Sequence, residues 1–294
     1  MSFSEQALIF PCAGEELLGI IAVPEQPGTI GVLIVVGGPQ YRVGSHRQFL
    51  LLSRALAEAG YPTMRFDYRG MGESSGEIRS FEAINQDVGA ALEAFRVGYP
   101  FVERFVLWGL CDAASAVLLY WHATHDPRVV GLVLLNPWVR STATLARTQI
   151  KHYYGQRLLQ REFWLKLLYG QVGIIKAVKG LFRSIFIAGS RGRERKSPIN
   201  LSYQQKMADA ARYFPGKILL LLSGNDYTAK EFLEMVKTNQ VWQEAIEISI
   251  ERRDLEAADH TFSTGEWRGQ VIEWVIDWLS GLSTTNQVRI QKSA

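Results

Sequence analysis

The feature that most limits what this chain can become is the alternation of short apolar runs with longer amphipathic ones. Residues 17–23 (LLGIIAV), 31–36 (GVLIVV), 62–67 (PTMRFD), 104–108 (RFVLW), 129–135 (VVGLVLL), 217–222 (KILLLL) and 246–251 (IEISIE) read as strands. Residues 47–59, 80–97, 112–125, 228–241 and 266–280 carry helical spacing; in the first of these Phe49, Leu50, Leu52, Leu56 and Ala57 share one face. Strands that take turns with helices imply a mostly parallel sheet covered on both faces, an α/β architecture.

The rhythm breaks after Asn136-Pro137. Residues 138–212 show helical stretches rich in aromatic and basic side chains, and the alternation resumes at 213. The expected organisation is therefore a core of residues 1–137 and 213–282, a helical lid at 138–212, and a polar, frayed tail at 283–294. Charge follows the same division. The formal net charge is +3, yet residues 141–200 hold 12 Lys/Arg against 2 Glu, an excess of +10, and the remainder, with 20 basic and 27 acidic residues, carries −7. A basic insert in an acidic body points to a local partner: an acidic substrate, an anionic membrane surface or another protein. Residues 189–196 (GSRGRERK) form the densest basic run, and 153–170 is an amphipathic stretch suited to lie over an acyl pocket. Nucleic acid is not an expected partner, because no recognition motif accompanies the basic run.

The chain has two cysteines, Cys12 and Cys111, too few for a disulfide scaffold. A chain of 294 residues buries enough core to need no such staple. No signal peptide and no apolar run of spanning length is read, so the expected compartment is the cytoplasm, where a thiol stays reduced. No His/Cys/Asp/Glu set has metal spacing, and the glycine-rich GGPQYRVG segment lacks the G-K-[ST] of a phosphate loop, so neither a metal nor another cofactor is expected.

The chemistry concentrates in FVLWGLCDAAS, residues 105–115. A buried strand ends at Gly109, Cys111 follows, and a helix begins at Asp112: the strand–turn–helix setting of a nucleophile elbow. Such a tight turn demands small neighbours, and Gly109 and Ala113 flank Cys111 at two residues on either side. The start of a helix also favours a thiolate. Asp112 is the odd residue. An acid in a first helical turn suits the helix dipole, but its charge opposes thiolate formation next door.

These segments resemble the α/β-hydrolase superfamily over nearly the whole chain. The familiar G-x-S-x-G reads Gly109-Leu110-Cys111-Asp112-Ala113, with cysteine for serine, as in dienelactone hydrolases and polyhydroxyalkanoate synthases. Asp67-Tyr68-Arg69-Gly70-Met71-Gly72-Glu73-Ser74 is similar to the superfamily's D-x-R-G-x-G-x-S turn. Taken with GGPQYRVGSHRQF and ADHTFS, the chain resembles the first type of exosortase A system-associated hydrolase, found beside bacterial exopolysaccharide and protein-sorting systems. The superfamily's order of nucleophile, acid, histidine implies Asp226 and His260 as partners of Cys111, with Asp254 and Asp259 as rival acids. His46 is a further residue for the site mouth; His122 and His125 read as structural or exposed, and His152 falls in the lid.

In the expected mechanism His260 takes the thiol proton or stabilises the thiolate, Asp226 orients the imidazole, and Cys111 forms an acyl-cysteine that water cleaves. The oxyanion needs two backbone N–H donors: Asp112, and Gln40 from the loop after the third strand, since Pro39 has none. The leading expectation is hydrolysis of an ester or thioester of a small acyl substrate. Two others stand beside it: acyl transfer through the same intermediate, and a catalytically weak scaffold for a membrane-associated assembly.

Overall fold

The computed structural model describes residues 2–38, 40–140 and 201–292; side chains from 283 onward are not among those described. The expected lid, including His152 and the basic run 189–196, therefore lies outside the described residues apart from its two flanks.

Eight strands form one sheet: β1 (Phe3–Cys12), β2 (Glu15–Pro24), β3 (Ile30–Val35), β4 (Thr63–Phe66), β5 (Arg104–Leu110), β6 (Val129–Leu135), β7 (Lys217–Ser223) and β8 (Ile250–Leu255). Their spatial order is β1-β2-β4-β3-β5-β6-β7-β8. β1 and β2 pair antiparallel, as do β2 and β4, and every later pairing is parallel. Helices α1 (Gln48–Glu58), α2 (Asn85–Gly98), α3 (Asp112–Thr124), α4 (Tyr203–Tyr213), α5 (Tyr227–Thr238), α6 (Gln240–Ile248) and α7 (Gly265–Lys292) complete the described elements.

The central strands are apolar throughout because both faces are covered. Alternate residues feed two separate cores. Leu33, Val35, Phe105, Leu107, Leu132, Leu134, Leu220 and Leu222 join the core under α2, α3 and α4. Val32, Ile34, Val106, Trp108, Val133, Leu135, Leu219 and Leu221 join the core under α1 and α7. Helix α3 is buried from Ala113 to Trp121, on every side of the helix, because α4 covers the face that the sheet leaves free. At the start of α4 the Ser202 side chain accepts from Gln205 N–H and the Gln205 side chain accepts from Ser202 N–H, a reciprocal cap.

The order places the site. The chain steps outward from β3 to β4 and then returns to add β5 on the other side of β3. The connections leaving β3 and β5 thus separate at their carboxyl ends and open a crevice there. Gly37, Gly38 and Gln40 line one side of it, and Cys111 and Asp112 the other.

Five local readings differ in the structure. β1, unforeseen, is an edge strand whose exposed and half-buried residues resemble a polar segment. The strand expected at 246–251 begins only at Ile250. Residues 240–248 are helical because Trp242 and Ala245 bury themselves at helical spacing and the Asn239 side chain accepts from Trp242 N–H. The same cap at Asn239 splits the single helix expected at 228–241 into α5 and α6. α2 starts at Asn85, after a short 3-10 turn at Phe81–Ala83, and α7 continues to Lys292 where a frayed tail was expected.

Candidate active site

Cys111 sits alone between β5 and α3 with φ 63° and ψ −122°, a backbone conformation that costs a non-glycine residue about 1–3 kcal/mol. The surroundings hold it there. Its N–H donates to Leu135 O at 2.8 Å, and its carbonyl accepts from Ala114 N–H and Trp138 N–H, both at 3.1 Å. Gly109 is required by the same turn, since a Cβ there would lie 2.5 Å from the Ala113 carbonyl carbon. Ala113 is fully buried, which explains why only a small residue fits two positions after the cysteine.

Asp226 and His260 come from the carboxyl ends of the next strands. Asp226 follows β7, and His260 lies in the loop between β8 and α7. His260 Nδ1 is 2.9 Å from Asp226 Oδ2. Asp226 also caps α5, with Oδ1 accepting from Thr228 N–H at 3.1 Å and Oδ2 from Ala229 N–H at 3.0 Å. It is therefore both helix cap and histidine partner. The rival acids are turned elsewhere. Asp254 pairs with Arg252, and Asp259 accepts from Thr261 N–H, Ser263 N–H and the Ser263 hydroxyl.

Burial alone would lower the pKa of His260, but hydrogen bonds to Asp226 and Cys111, and the negative charge of both, push it up to about 10. The imidazole is thus held protonated at neutral pH, linked to a carboxylate on one side and to the cysteine sulfur on the other.

A buried polar set fixes the histidine loop. Asn136, at φ 45° just past β6, donates through Nδ2 to Ser223 Oγ at 2.8 Å and to the His260 carbonyl at 3.1 Å. Its Oδ1 accepts from Ser223 N–H at 2.9 Å, and the Ser223 hydroxyl donates to the Asp259 carbonyl at 2.8 Å. Sequence reasoning missed both residues. The only signal was an Asn before Pro at a strand end, where Asn tolerates the left-handed region.

On the facing loop, Gly38 N–H donates to Asp112 Oδ2 at 3.0 Å. Asp112 Oδ1 is buried without a hydrogen-bond partner. Burial raises the pKa of this carboxyl, while the N–H groups of Gly38, Ala113 and Asp112 itself, and the charge on His260, pull it down less strongly. Gln40 lines the same pocket, its side-chain Oε1 accepting from Ser45 N–H at 3.0 Å. The loop is anchored from below. Asp67 accepts from Arg42 N–H at 2.6 Å, from the Arg42 guanidinium at 2.5 Å and from Glu73 N–H at 3.1 Å. Gly72 is needed there, because a Cβ would lie 2.2 Å from Asp67 Oδ2.

Cys111, His260, Asp112, Gly38 and Gln40 border a pocket of about 380 Å³, whose apolar wall is Phe49, Phe81, Leu110 and Trp138. Trp138 is held in turn by Arg140, whose guanidinium lies 4.3 Å over its ring and pairs with buried Glu231 at 2.9 Å. The Tyr203 hydroxyl donates to Arg140 O at 2.8 Å. His46 is not on the described pocket wall. His125 ends α3 in the left-handed region, its ring 4.8 Å from that of Trp121. Among the described residues no group of three or more His, Cys, Asp or Glu could hold a metal. No described helix is long and apolar enough to cross a membrane.

Comparison with known proteins agrees with this architecture. An esterase from Pyrococcus furiosus superposes with a TM-score of 0.63 at 17% identity, covering 95% of this chain and 91% of that one. Est1E from Butyrivibrio proteoclasticus, solved with ferulic acid, gives 0.60 at 14% identity, covering 94% and 98%. The acylaminoacyl peptidase of Pyrococcus horikoshii gives 0.62 at 16% identity, covering 95% of this chain and 41% of the larger enzyme. At such identities the likeness concerns the fold. No curated protein matches the chain by sequence. The family model described as serine aminopeptidase, S33 matches residues 32–178, half of the chain, from β3 through the elbow and beyond β6. With its eight-stranded sheet, its elbow and this match, the chain belongs to the serine aminopeptidase, S33 family of α/β-hydrolases.

Proposed function

We propose that this protein hydrolyses an ester or thioester through a Cys111–His260–Asp226 triad and a covalent acyl-cysteine. The observation that carries the reading is the continuous link from Asp226 through His260 to Cys111 at the carboxyl edge of the sheet. The nucleophilic form of a cysteine is its thiolate. The thiolate sulfur attacks the acyl carbon, and the carbonyl π pair moves onto oxygen. On collapse the leaving group departs and takes the proton from His260. Water, deprotonated by the now neutral His260, then attacks the thioester and restores the cysteine. Asp226 stays ionised throughout and holds the ring in place.

The oxyanion is received by Asp112 N–H on the elbow side and by Gly38 or Gln40 on the facing loop. The family's usual nucleophile is serine. Cysteine here changes the leaving-group chemistry, because a thioester is more readily attacked than an ester. The apolar wall of Phe49, Phe81, Leu110 and Trp138 suits an uncharged acyl or aromatic group of modest size. The resemblance to exosortase-associated hydrolases suggests that such a substrate arises near exopolysaccharide export or protein sorting.

The test is turnover of a short and a long p-nitrophenyl ester and of an acyl thioester by wild type and Cys111→Ala. Loss of turnover in the variant, with a trapped acyl adduct on Cys111 of wild type by mass spectrometry, supports the reading. Full activity in Cys111→Ala refutes it.

A further inference from the structure

The backbone donors expected to receive a substrate oxyanion already face an anion. Asp112 Oδ2 accepts from Gly38 N–H at 3.0 Å, and the same carboxyl lies among the N–H groups of Asp112 and Ala113 at the start of α3. The fit is close: a Cβ on Gly37 would lie 2.2 Å from Asp112 Oδ1 and 2.9 Å from Ala113 N, so only glycine leaves room for the carboxyl. Oδ1 has no partner of its own. A buried acceptor left unpaired is a standing cost unless the group acts in another state.

We propose that the Asp112 side chain is an internal competitor for the oxyanion cradle, so that turnover is carried by the enzyme form in which Asp112 is neutral. The proposal rests on the triad reading above. An ionised carboxylate there takes up Gly38 N–H and repels the negative charge that develops on the substrate carbonyl oxygen. Protonated from solvent, the same group no longer repels it, and Gly38 N–H and Asp112 N–H turn to the substrate. Burial raises the pKa of Asp112, which favours its neutral form. Three groups face it. Tyr68, buried below, is pushed up to about 12, first by burial and then by the Asp112 charge, so it stays neutral. His260, pushed up to about 10, stays charged over the same range. Cys111, the neighbour in sequence, is the nucleophile, and its ionisation must be measured apart.

The experiment pairs two reactions at one sulfur. Hydrolysis of p-nitrophenyl acetate needs an oxyanion, whereas alkylation of Cys111 by iodoacetamide needs only the thiolate. The ratio of kcat/KM to the alkylation rate, followed from about pH 5 to about pH 9, therefore isolates the oxyanion step. In wild type the ratio is expected to fall as pH rises. In Asp112→Ala it is expected to be flat and, at the alkaline end, about tenfold or more above wild type; Asp112→Asn, neutral but still able to accept from Gly38 N–H, falls between them. A ratio constant with pH in wild type, or lowered by Asp112→Ala at every pH, overturns the proposal, and the wild-type arm decides even if a variant folds poorly. Hydrolysis that survives in Cys111→Ala sinks the triad reading itself, a distinct failure.

Discussion

Asn136→Ala separates support of the site from its chemistry. Asn136 is fully buried and makes three hydrogen bonds across the ends of β6, β7 and the His260 loop. Alanine removes all three and leaves two buried backbone groups, Ser223 N–H and the His260 carbonyl, without those partners. Each costs about 1–3 kcal/mol, while the Ser223 hydroxyl keeps its bond to Asp259 O. The residue also holds φ 45°, where alanine adds about 1 kcal/mol over asparagine. The sum is about 3–7 kcal/mol, a large part of the stability of an ordinary domain. Urea denaturation of wild type, Asn136→Ala and Asn136→Gly measures it. Glycine tolerates the backbone, so the gap between the variants reads the conformational share and the remainder reads the hydrogen bonds. Ester turnover of the folded variants should fall as well, since the His260 carbonyl loses its anchor. A stability loss below about 1 kcal/mol in Asn136→Ala would refute this accounting.

Two further predictions concern the triad. Asp226→Asn keeps one oxygen to cap α5 but removes the charge that pairs with His260, so melting below about pH 10 should fall, and kcat of the folded variant should fall by about 10³–10⁴-fold; an unchanged kcat in the folded variant would mean that Asp226 serves the helix alone. His260, with a folded pKa of about 10 against an ordinary 6.5, contributes stability that is fully present below about 6.5 and lost as pH rises through 10. Thermal melting between these limits should therefore decline more steeply in wild type than in His260→Gln, and parallel curves would contradict it.

Much of this was legible in residue order. The elbow could be read because a tight turn leaves its mark locally: a strand ends, Gly109 and Ala113 bracket Cys111, and a helix starts. The parallel core strands could be read because burial on both faces makes them continuously apolar. β1 was missed because an edge strand with outward polar residues has no such signature. α6 was misread because IEISIE alternates like a strand, while the helical contacts of Trp242 and Ala245 with the core decide the outcome. The contacts that complete the site are long-range. Gly38 and Asp112 lie 74 residues apart, and Asn136 and His260 lie 124 apart. No local pattern encodes such meetings; they follow from the strand order that opens the crevice beside β3.

The tie between Tyr203 and Arg140 bears on how this fold evolves. It brings together the two ends of the sixty residues at 141–200, so the core sees that stretch as a single closed excursion. Loop-closure entropy grows only with the logarithm of length, and shortening such an excursion from about 60 to about 6 residues changes it by only about 2 kcal/mol. Lineages can therefore exchange, lengthen or trim the stretch at small thermodynamic expense while the sheet stays as it is. Trp138, two residues before Arg140, donates its N–H to the carbonyl of Cys111, so the stretch departs from the core beside the nucleophile. The fold thus offers a cassette site for new specificities, wired directly to the nucleophile's backbone.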